Sequence, residues 1–246
     1  MNPIANAGET MTLPNTLGLD DDLDSVELLL DLETAFGVKF PSDEAEACWT
    51  VGDVFKLAHR HVQRPDDLGA GCATAMAFYR LRRALAQDDA RPRPAPTTAL
   101  EDILSPSPNA TYRRIREAYP DMRLPRLSLS AAGQVGLTLL LVGALCLIIT
   151  GAAAPRWWVL PALAMTVGAV LTHLDRGRFS PGCRTLGDLA RKVAGLNFAA
   201  LTAAGARYRD ADVRSALVEV ITEHSSLPKS EIQDGTLLLQ SQMRAR

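Results

Sequence analysis

The sequence lacks the residue groupings that metal sites, disulfide frameworks and catalytic centres require. Its four cysteines form no C-x-x-C pair and have no histidine cluster nearby, so neither a zinc site nor a disulfide framework is expected. The four histidines are scattered, and no nucleophile-base-acid set or phosphate-binding loop is present. The sequence therefore predicts no metal ligands, no catalytic residues and no enzymatic activity.

The sequence also lacks an overall excess of charge. A formal net charge of -2 gives no reason to expect nucleic-acid binding. The charges are unevenly distributed, because residues 20–46 contain ten carboxylates and one lysine, whereas residues 80–126 contain ten arginines and six carboxylates. We expect the first segment to present an acidic surface and the second to suit anionic lipid headgroups.

Two long segments have no charged side chain. Between Arg126 and Arg156 no side chain is charged at neutral pH, and the apolar run after Arg156 contains only His173 as a basic residue. Residues 127–155 exceed the roughly 20 apolar residues that cross a bilayer as a helix, and residues 157–174 are at the short end of that range. The sequence predicts a tight transmembrane hairpin. Two buried helices of a soluble core are the alternative.

Arginines lie on the outer flanks of this predicted hairpin. Five precede the first span and three follow the second, against one in the turn. The N-terminal residues lack the basic and apolar segments of a signal peptide. We therefore expect a two-pass protein of the cytoplasmic (inner) membrane with both termini in the cytoplasm. Threonines are the polar groups at mid-span, so no transport role is predicted.

Two amphipathic helices are predicted near the N-terminus. Leu23, Val26 and Leu30 recur at helical spacing and are expected to form a buried stripe, with carboxylates on another face. A second helix is predicted to begin at Thr50, where Asp53 is placed to complete a capping box.

The segment 17–62 resembles the second half of an acyl carrier protein. In that family the arm-bearing helix begins with Asp-Ser-Leu and ends at a phenylalanine before a short apolar turn. The matching positions are Asp21, Leu23, Val26, Glu27, Leu28, Leu32, Glu33, Phe36, Val38 and Pro41, followed by residues 50–57 at the start of the carrier's last helix. The resemblance implies an all-α fold of one or more acyl-carrier-like small helical bundles, here accompanied by the two-helix transmembrane hairpin.

The resemblance breaks down at the functional position. The family's phosphopantetheine-bearing serine aligns with Asp22, and a carboxylate cannot replace the hydroxyl nucleophile that accepts the arm. Asp22 is therefore the equivalent of the attachment site, and no cofactor is expected. The alternative is 4'-phosphopantetheine attached to another hydroxyl, that of Ser25 or Ser105.

Two further stretches resemble parts of the same unit. Residues 115–127 are similar to residues 32–43, and residues 184–193 are similar to residues 49–58. Because the two stretches lie on either side of the apolar hairpin, the hypothesis is a second, diverged carrier-like unit with the hairpin inserted between its central and last helices.

The C-terminal residues 210–239 resemble the first half of a carrier. They could complete the N-terminal bundle as a circularly permuted carrier fold, within one chain or between two chains of a homodimer. The alternative is an independent terminal helix. The apolar residues Val213, Leu217, Val220 and Ile221 need a partner surface in either case.

The predicted organisation follows from these segments. It comprises carrier-like helices at 1–65, a helix and Pro-rich linker at 66–96, a second carrier-like segment at 97–126, the transmembrane hairpin at 127–175, the last helix of the second unit at 180–205, and a segment resembling a carrier's first helix at 206–246.

The resemblance implies a docking function. An acidic helix is expected to bind a basic patch on a cytosolic protein of acyl or lipid metabolism and to hold it at the membrane. The expected partner-binding residues are Asp21, Asp24, Glu27, Asp31 and Glu33. The alternative is a working phosphopantetheine-dependent carrier, tethered to the membrane for lipid or envelope biosynthesis.

Overall fold

The computed structural model describes residues 15–19, 23–62, 71–85, 94–103, 107–150, 158–175, 177–179, 182–225 and 227–239. It is mostly helical, which confirms the all-α class. The helices are α1 (Leu23–Phe36), α2 (Ser42–Glu46), α3 (Val51–His61), α4 (Ala73–Leu85), α5 (Leu100–Ile103), α6 (Pro108–Ala118), α7 (Ala131–Thr150), α8 (Val159–His173), α9 (Leu186–Leu196), α10 (Phe198–Ala203) and α11 (Asp210–His224). The short strands β1 (Thr16–Leu19) and β4 (Leu237–Leu239) pair in parallel, as do β2 (Gly71–Cys72) and β3 (Ala206–Arg207).

The chain divides into two compact units. Unit 1 comprises residues 1–73 and 195–246, and unit 2 comprises residues 74–194. These boundaries differ from the predicted ones. The segment 180–205 is split, because α10 belongs to unit 1, and the segment 66–96 contributes most of α4 to unit 2.

The interior face of α1 differs from the expected stripe. Leu28 and Leu32, one turn apart, are 4% and 2% exposed, whereas Val26 and Leu30 are 53% and 50% exposed. The expectation that Val26 and Leu30 are buried is therefore wrong. Leucines lie on more than one side of this helix, and packing in unit 1 buries the side that contains Leu28 and Leu32. The side chain of Leu23 lies outside the described set.

The C-terminal helix α11 is part of the same hydrophobic core as the N-terminal helices. The residues Val213, Leu217, Val220 and Ile221 of α11 are almost fully buried, and α11 contacts α1 and α3. The core thus joins segments from opposite ends of the sequence. Within this one chain, α11 therefore packs in one bundle with α1 and α3.

Backbone hydrogen bonds hold the turn before β4 against the start of α3. The N–H of Val51 donates to the carbonyl of Thr236 at 3.0 Å, and the N–H of Gly52 donates to the carbonyl of Asp234 at 2.9 Å. A Cβ at Gly52 would lie only 3.0 Å from that Asp234 oxygen. The close approach explains the glycine at this position.

The same arrangement recurs in unit 2. The N–H of Leu186 donates to the carbonyl of Thr98 at 3.0 Å, and the N–H of Gly187 donates to the carbonyl of Pro96 at 2.8 Å. A Cβ at Gly187 would lie 2.9 Å from that Pro96 oxygen. The turn at residues 95–98 therefore corresponds in its backbone contacts to the turn at residues 233–236, a similarity that the sequence comparison missed.

Identical caps begin α3 and α9. The N–H of Asp53 donates to the Thr50 hydroxyl at 3.2 Å, and the Asp53 carboxylate accepts the Thr50 N–H at 3.1 Å. The corresponding distances between Asp188 and Thr185 are 3.2 and 2.9 Å. The capping box predicted at Thr50 is confirmed, and an equivalent cap at Thr185 begins α9 in unit 2.

The helices α7 and α8 pack against each other as an antiparallel pair. A Cβ at Gly168 would lie 2.6 Å from the carbonyl oxygen of Gly136, so the two backbones are in direct contact. Of the described helices, one is long and apolar enough to cross a membrane, with a mean hydropathy of 2.3 over Ala131–Ile149; α8 has 15 residues. Length and composition are the basis of that assignment.

Replacing Thr50 by Ala should loosen the start of α3. Loss of an N-cap oxygen costs about 1 kcal/mol, so we expect amide hydrogen exchange in residues 51–54 to accelerate about fivefold in the full-length protein. Thr185→Ala should have the same effect on residues 186–189. Thr50→Ser keeps the oxygen and serves as the control. Equal exchange in Thr50→Ala and Thr50→Ser would contradict the role of the cap.

Candidate docking face and apolar cavity

The exposed surface of α1 combines acidic and apolar side chains. Asp24 and Glu27 are exposed, and Val26 and Leu30 are each about half exposed. Protein interfaces commonly have such an apolar centre with a charged rim. We call these four residues the α1 face. Two of the five expected partner-binding residues, Asp24 and Glu27, belong to it.

Asp31 is engaged within unit 1. Its carboxylate lies 2.9 Å from Nε2 of His224, whose side chain is only 4% exposed. This contact ties α1 to α11.

One ligand atom from each of Glu27, Asp31 and His224 lies within 4.8 Å of the others, a spacing at which they could hold a metal ion. The direct contact between Asp31 and His224 accounts for two of the three groups without an ion.

Glu33 is buried and stabilises the turn that follows α1. The helix ends at Phe36, and Gly37 adopts a φ of 65°, which turns the chain back toward the helix. Lys39 forms an ion pair with the Glu33 carboxylate, and the N–H of Phe40 donates to it at 2.8 Å. Glu33 is 8% exposed and therefore does not contribute to the exposed acidic surface.

The environment of Glu33 lowers its pKa. Burial by itself raises the pKa, but the hydrogen bonds from Lys39 and the Phe40 N–H, together with the charge of Lys39, outweigh it. A lowered pKa in the folded state means that ionised Glu33 stabilises the protein above its unfolded-state pKa. This contribution disappears as the pH falls through the folded-state pKa.

An apolar cavity of about 410 Å³ opens beside α1. This volume is within the range of roughly 300–1,000 Å³ that is typical of small-molecule sites. The cavity is lined by residues of α1, α2, α3, β1 and β4, among them Ser25, Val26, Leu29, Ala45, Cys48 and Leu238. Burial raises the pKa of the Cys48 thiol. Sequence reasoning missed the cavity because its walls come from distant segments.

The three candidate attachment positions have different outcomes. Asp22, together with the predicted docking residue Asp21, lies outside the described residues, and so does Ser105. Ser25 is half-buried in the first turn of α1 and lines the cavity. The proposed loss of the attachment serine at Asp22 stays a prediction.

Replacing Glu33 by Gln should reduce the acid sensitivity of unit 1. We expect the variant to lose about 1–2 kcal/mol at pH 7, because a charge-assisted hydrogen bond is replaced by a neutral one. The difference from the wild type should shrink as the pH falls below about 4.5, the ordinary carboxyl value. Thermal unfolding of the full-length protein, followed by circular dichroism at pH 7 and below about pH 4.5, measures the difference in stability, with the exposed Glu231→Gln as control. A difference that is independent of pH would contradict the assignment.

Comparison with known proteins identifies relatives of one segment of the chain. The acyl carrier protein of Lactobacillus johnsonii is 44% identical over 41 residues, that of Thermosynechococcus vestitus 50% over 42 residues, and that of Afipia carboxidovorans 40% over 55 residues. These matches cover 17%, 17% and 22% of this chain. The chain spans about half the length of the first two relatives (51% and 52%) and 68% of the third. No family model and no solved structure matches the chain. Through this one segment, the chain belongs to the acyl carrier protein family.

Proposed function

We propose that this protein is a membrane-anchored, acyl-carrier-like docking protein without catalytic activity. It recruits a cytosolic protein of acyl or lipid metabolism through the α1 face. The observation that carries this proposal is a continuous exposed strip of α1, in which Asp24 and Glu27, one turn apart, are followed one turn later by the half-exposed Leu30 and its neighbour Val26, on a helix whose other side is firmly packed.

The α1 face suits a basic partner surface. Carboxylates at the rim of an interface steer a positively charged partner and set its orientation, while the apolar pair supplies the area removed from water. The ion pair of Glu33 and the contact of Asp31 with His224 hold α1 in place, so little ordering is needed when a partner binds.

The membrane anchor is assigned to α7 and α8. The first helix is long enough to span the hydrocarbon core, and the second packs against it through Gly136 and Gly168. In this proposal the pair crosses the cytoplasmic membrane as a hairpin. The flanking arginines then place both termini in the cytoplasm, where a cytosolic partner can reach the α1 face.

The apolar cavity favours a second candidate function. A cavity of about 410 Å³ beside a serine would accept an extended acyl chain, so a working carrier with its arm on Ser25 is the alternative. This hydroxyl is within α1 and half-buried, which hinders access of a modifying enzyme.

The docking proposal predicts a salt-dependent interaction with a carrier-dependent enzyme. A purified fatty-acid acyltransferase that binds acyl carriers through a basic patch serves as the probe. Its affinity for the full-length protein should fall between about 50 mM and about 500 mM salt. Asp24→Asn with Glu27→Gln should weaken binding about threefold to tenfold at low salt, because each exposed charge pair contributes up to about 1 kcal/mol.

The matched control removes two charges from other exposed positions of unit 1, in Asp43→Asn with Glu231→Gln. This control should bind as the wild type does. If both double variants lose affinity equally, or if salt has no effect, the α1 face is not the docking surface.

The two candidate functions differ in covalent modification. After co-expression with a broad-specificity phosphopantetheinyl transferase, we expect the unmodified intact mass, because Asp22 offers no hydroxyl. Peptide mapping of residues 17–41 and 97–113 locates any addition. An added phosphopantetheine group on Ser25 or Ser105 would replace the docking proposal by the carrier alternative.

A further inference from the structure

A second cavity lies at the base of the apolar helix pair within unit 2. It has a volume of about 620 Å³ and is lined by residues of α6 and of the segment that leads into α7. Its apolar wall includes Tyr112 and Pro125, both buried, and the ring of Tyr112 packs edge-on against Phe179 at 5.6 Å. The amide of Asn109, which also lines the cavity, donates to the carbonyl of Asp175 at 3.5 Å. The wall is therefore fixed to the segment that follows α8.

The cavity carries a net positive charge. Three arginines and one glutamate line it, namely Arg113, Arg116, Arg126 and Glu117. The side chains of Arg113 and Glu117 approach within 3.9 Å, which partly neutralises that pair. Arg116 and Arg126 add two further cationic groups, both exposed. A guanidinium group binds a phosphate through two parallel N–H donors, which makes an anionic phosphate the matching ligand.

The position of the cavity relative to α7 indicates the source of that phosphate. Leu127, which lines the cavity, precedes the first residue of α7 by four positions. If α7 enters the bilayer there, the arginines lie at the level of the headgroups, and Leu124 and Leu127 face the start of the acyl chains.

From this combination we infer that the cavity formed by α6 and residues 124–127 binds the phosphate headgroup of an anionic phospholipid. The site anchors unit 2 against the membrane surface and selects anionic over zwitterionic lipid. This inference rests on the membrane anchoring proposed above, and it is independent of the α1 face.

Lipid binding to the full-length protein in detergent tests this inference. The probes are phosphatidylglycerol and phosphatidylcholine with identical acyl chains, titrated and counted by native mass spectrometry. We expect phosphatidylglycerol to bind more tightly by about tenfold or more. Arg116→Gln with Arg126→Gln should lower its affinity about 25-fold, since each cationic side chain near an anionic headgroup contributes about fivefold.

Two matched variants separate a built site from general charge attraction. Arg83→Gln with Arg114→Gln removes the same charge from exposed positions of unit 2 outside the cavity, and should change the affinity less than about twofold. Glu117→Gln removes the one carboxylate in the cavity and should strengthen binding of phosphatidylglycerol about threefold. Equal losses in both double variants would overturn the inference, and so would equal affinity for the two lipids.

Two further measurements identify which proposal has failed. Glycerol 3-phosphate competing as strongly as phosphatidylglycerol would show a site for a soluble phosphate and refute the lipid assignment. Extraction of cell membranes with alkaline carbonate tests anchoring separately. Protein that stays in the membrane fraction but shows no headgroup selectivity refutes this inference alone, whereas protein released by carbonate refutes the anchoring on which it rests.

Discussion

The hydrogen bonds from Val51 and Gly52 to the turn at residues 234–236 close unit 1 between segments that are more than 180 residues apart in sequence. They position β4 beside β1 and bring α11 against α1 and α3. With α11 in place, Leu28 and Leu32 become interior residues and the opposite side of α1 remains exposed. The α1 face and the cavity beside it therefore depend on these long-range contacts. Bringing the distant segments together costs chain entropy, and burial of the hydrophobic core offsets that cost.

The recurrence of this closure in unit 2 extends the resemblance beyond the residues that first indicated it. The turn at residues 95–98 contacts the start of α9 through the same backbone atoms as the turn at 233–236 contacts α3, although the two turns share little more than a threonine. Each threonine hydroxyl accepts a backbone N–H three residues earlier, at 2.8 Å in one turn and 2.9 Å in the other. The two turns thus share their backbone geometry although their side chains differ, and the second carrier-like unit stays a prediction.

Local sequence patterns predicted helices and caps better than they predicted which residues are buried or paired. The cap at Thr50 depends on atoms three residues apart, so its spacing was sufficient to predict it. The buried face of α1 was assigned wrongly because four leucines within five positions place apolar side chains on several sides of the helix. Contact with the distant helix α11 determines which of these sides is buried. The sequence also placed Glu33 with the docking carboxylates. Its ion pair with Lys39 depends on the turn at Gly37, which periodicity does not describe.

The two ends of the apolar helix pair lie side by side within unit 2. Ser128 and Arg178 form an antiparallel bridge there, with backbone hydrogen bonds of 2.9 and 2.7 Å, and the carboxylate of Asp175 accepts the N–H of Ser130 at 3.1 Å. Chain ends this close can be joined by a two-residue turn without displacing either of them. The ends of the helix pair are thus held together by backbone contacts that lie outside the two helices, so the separation of the flanking segments does not depend on α7 and α8.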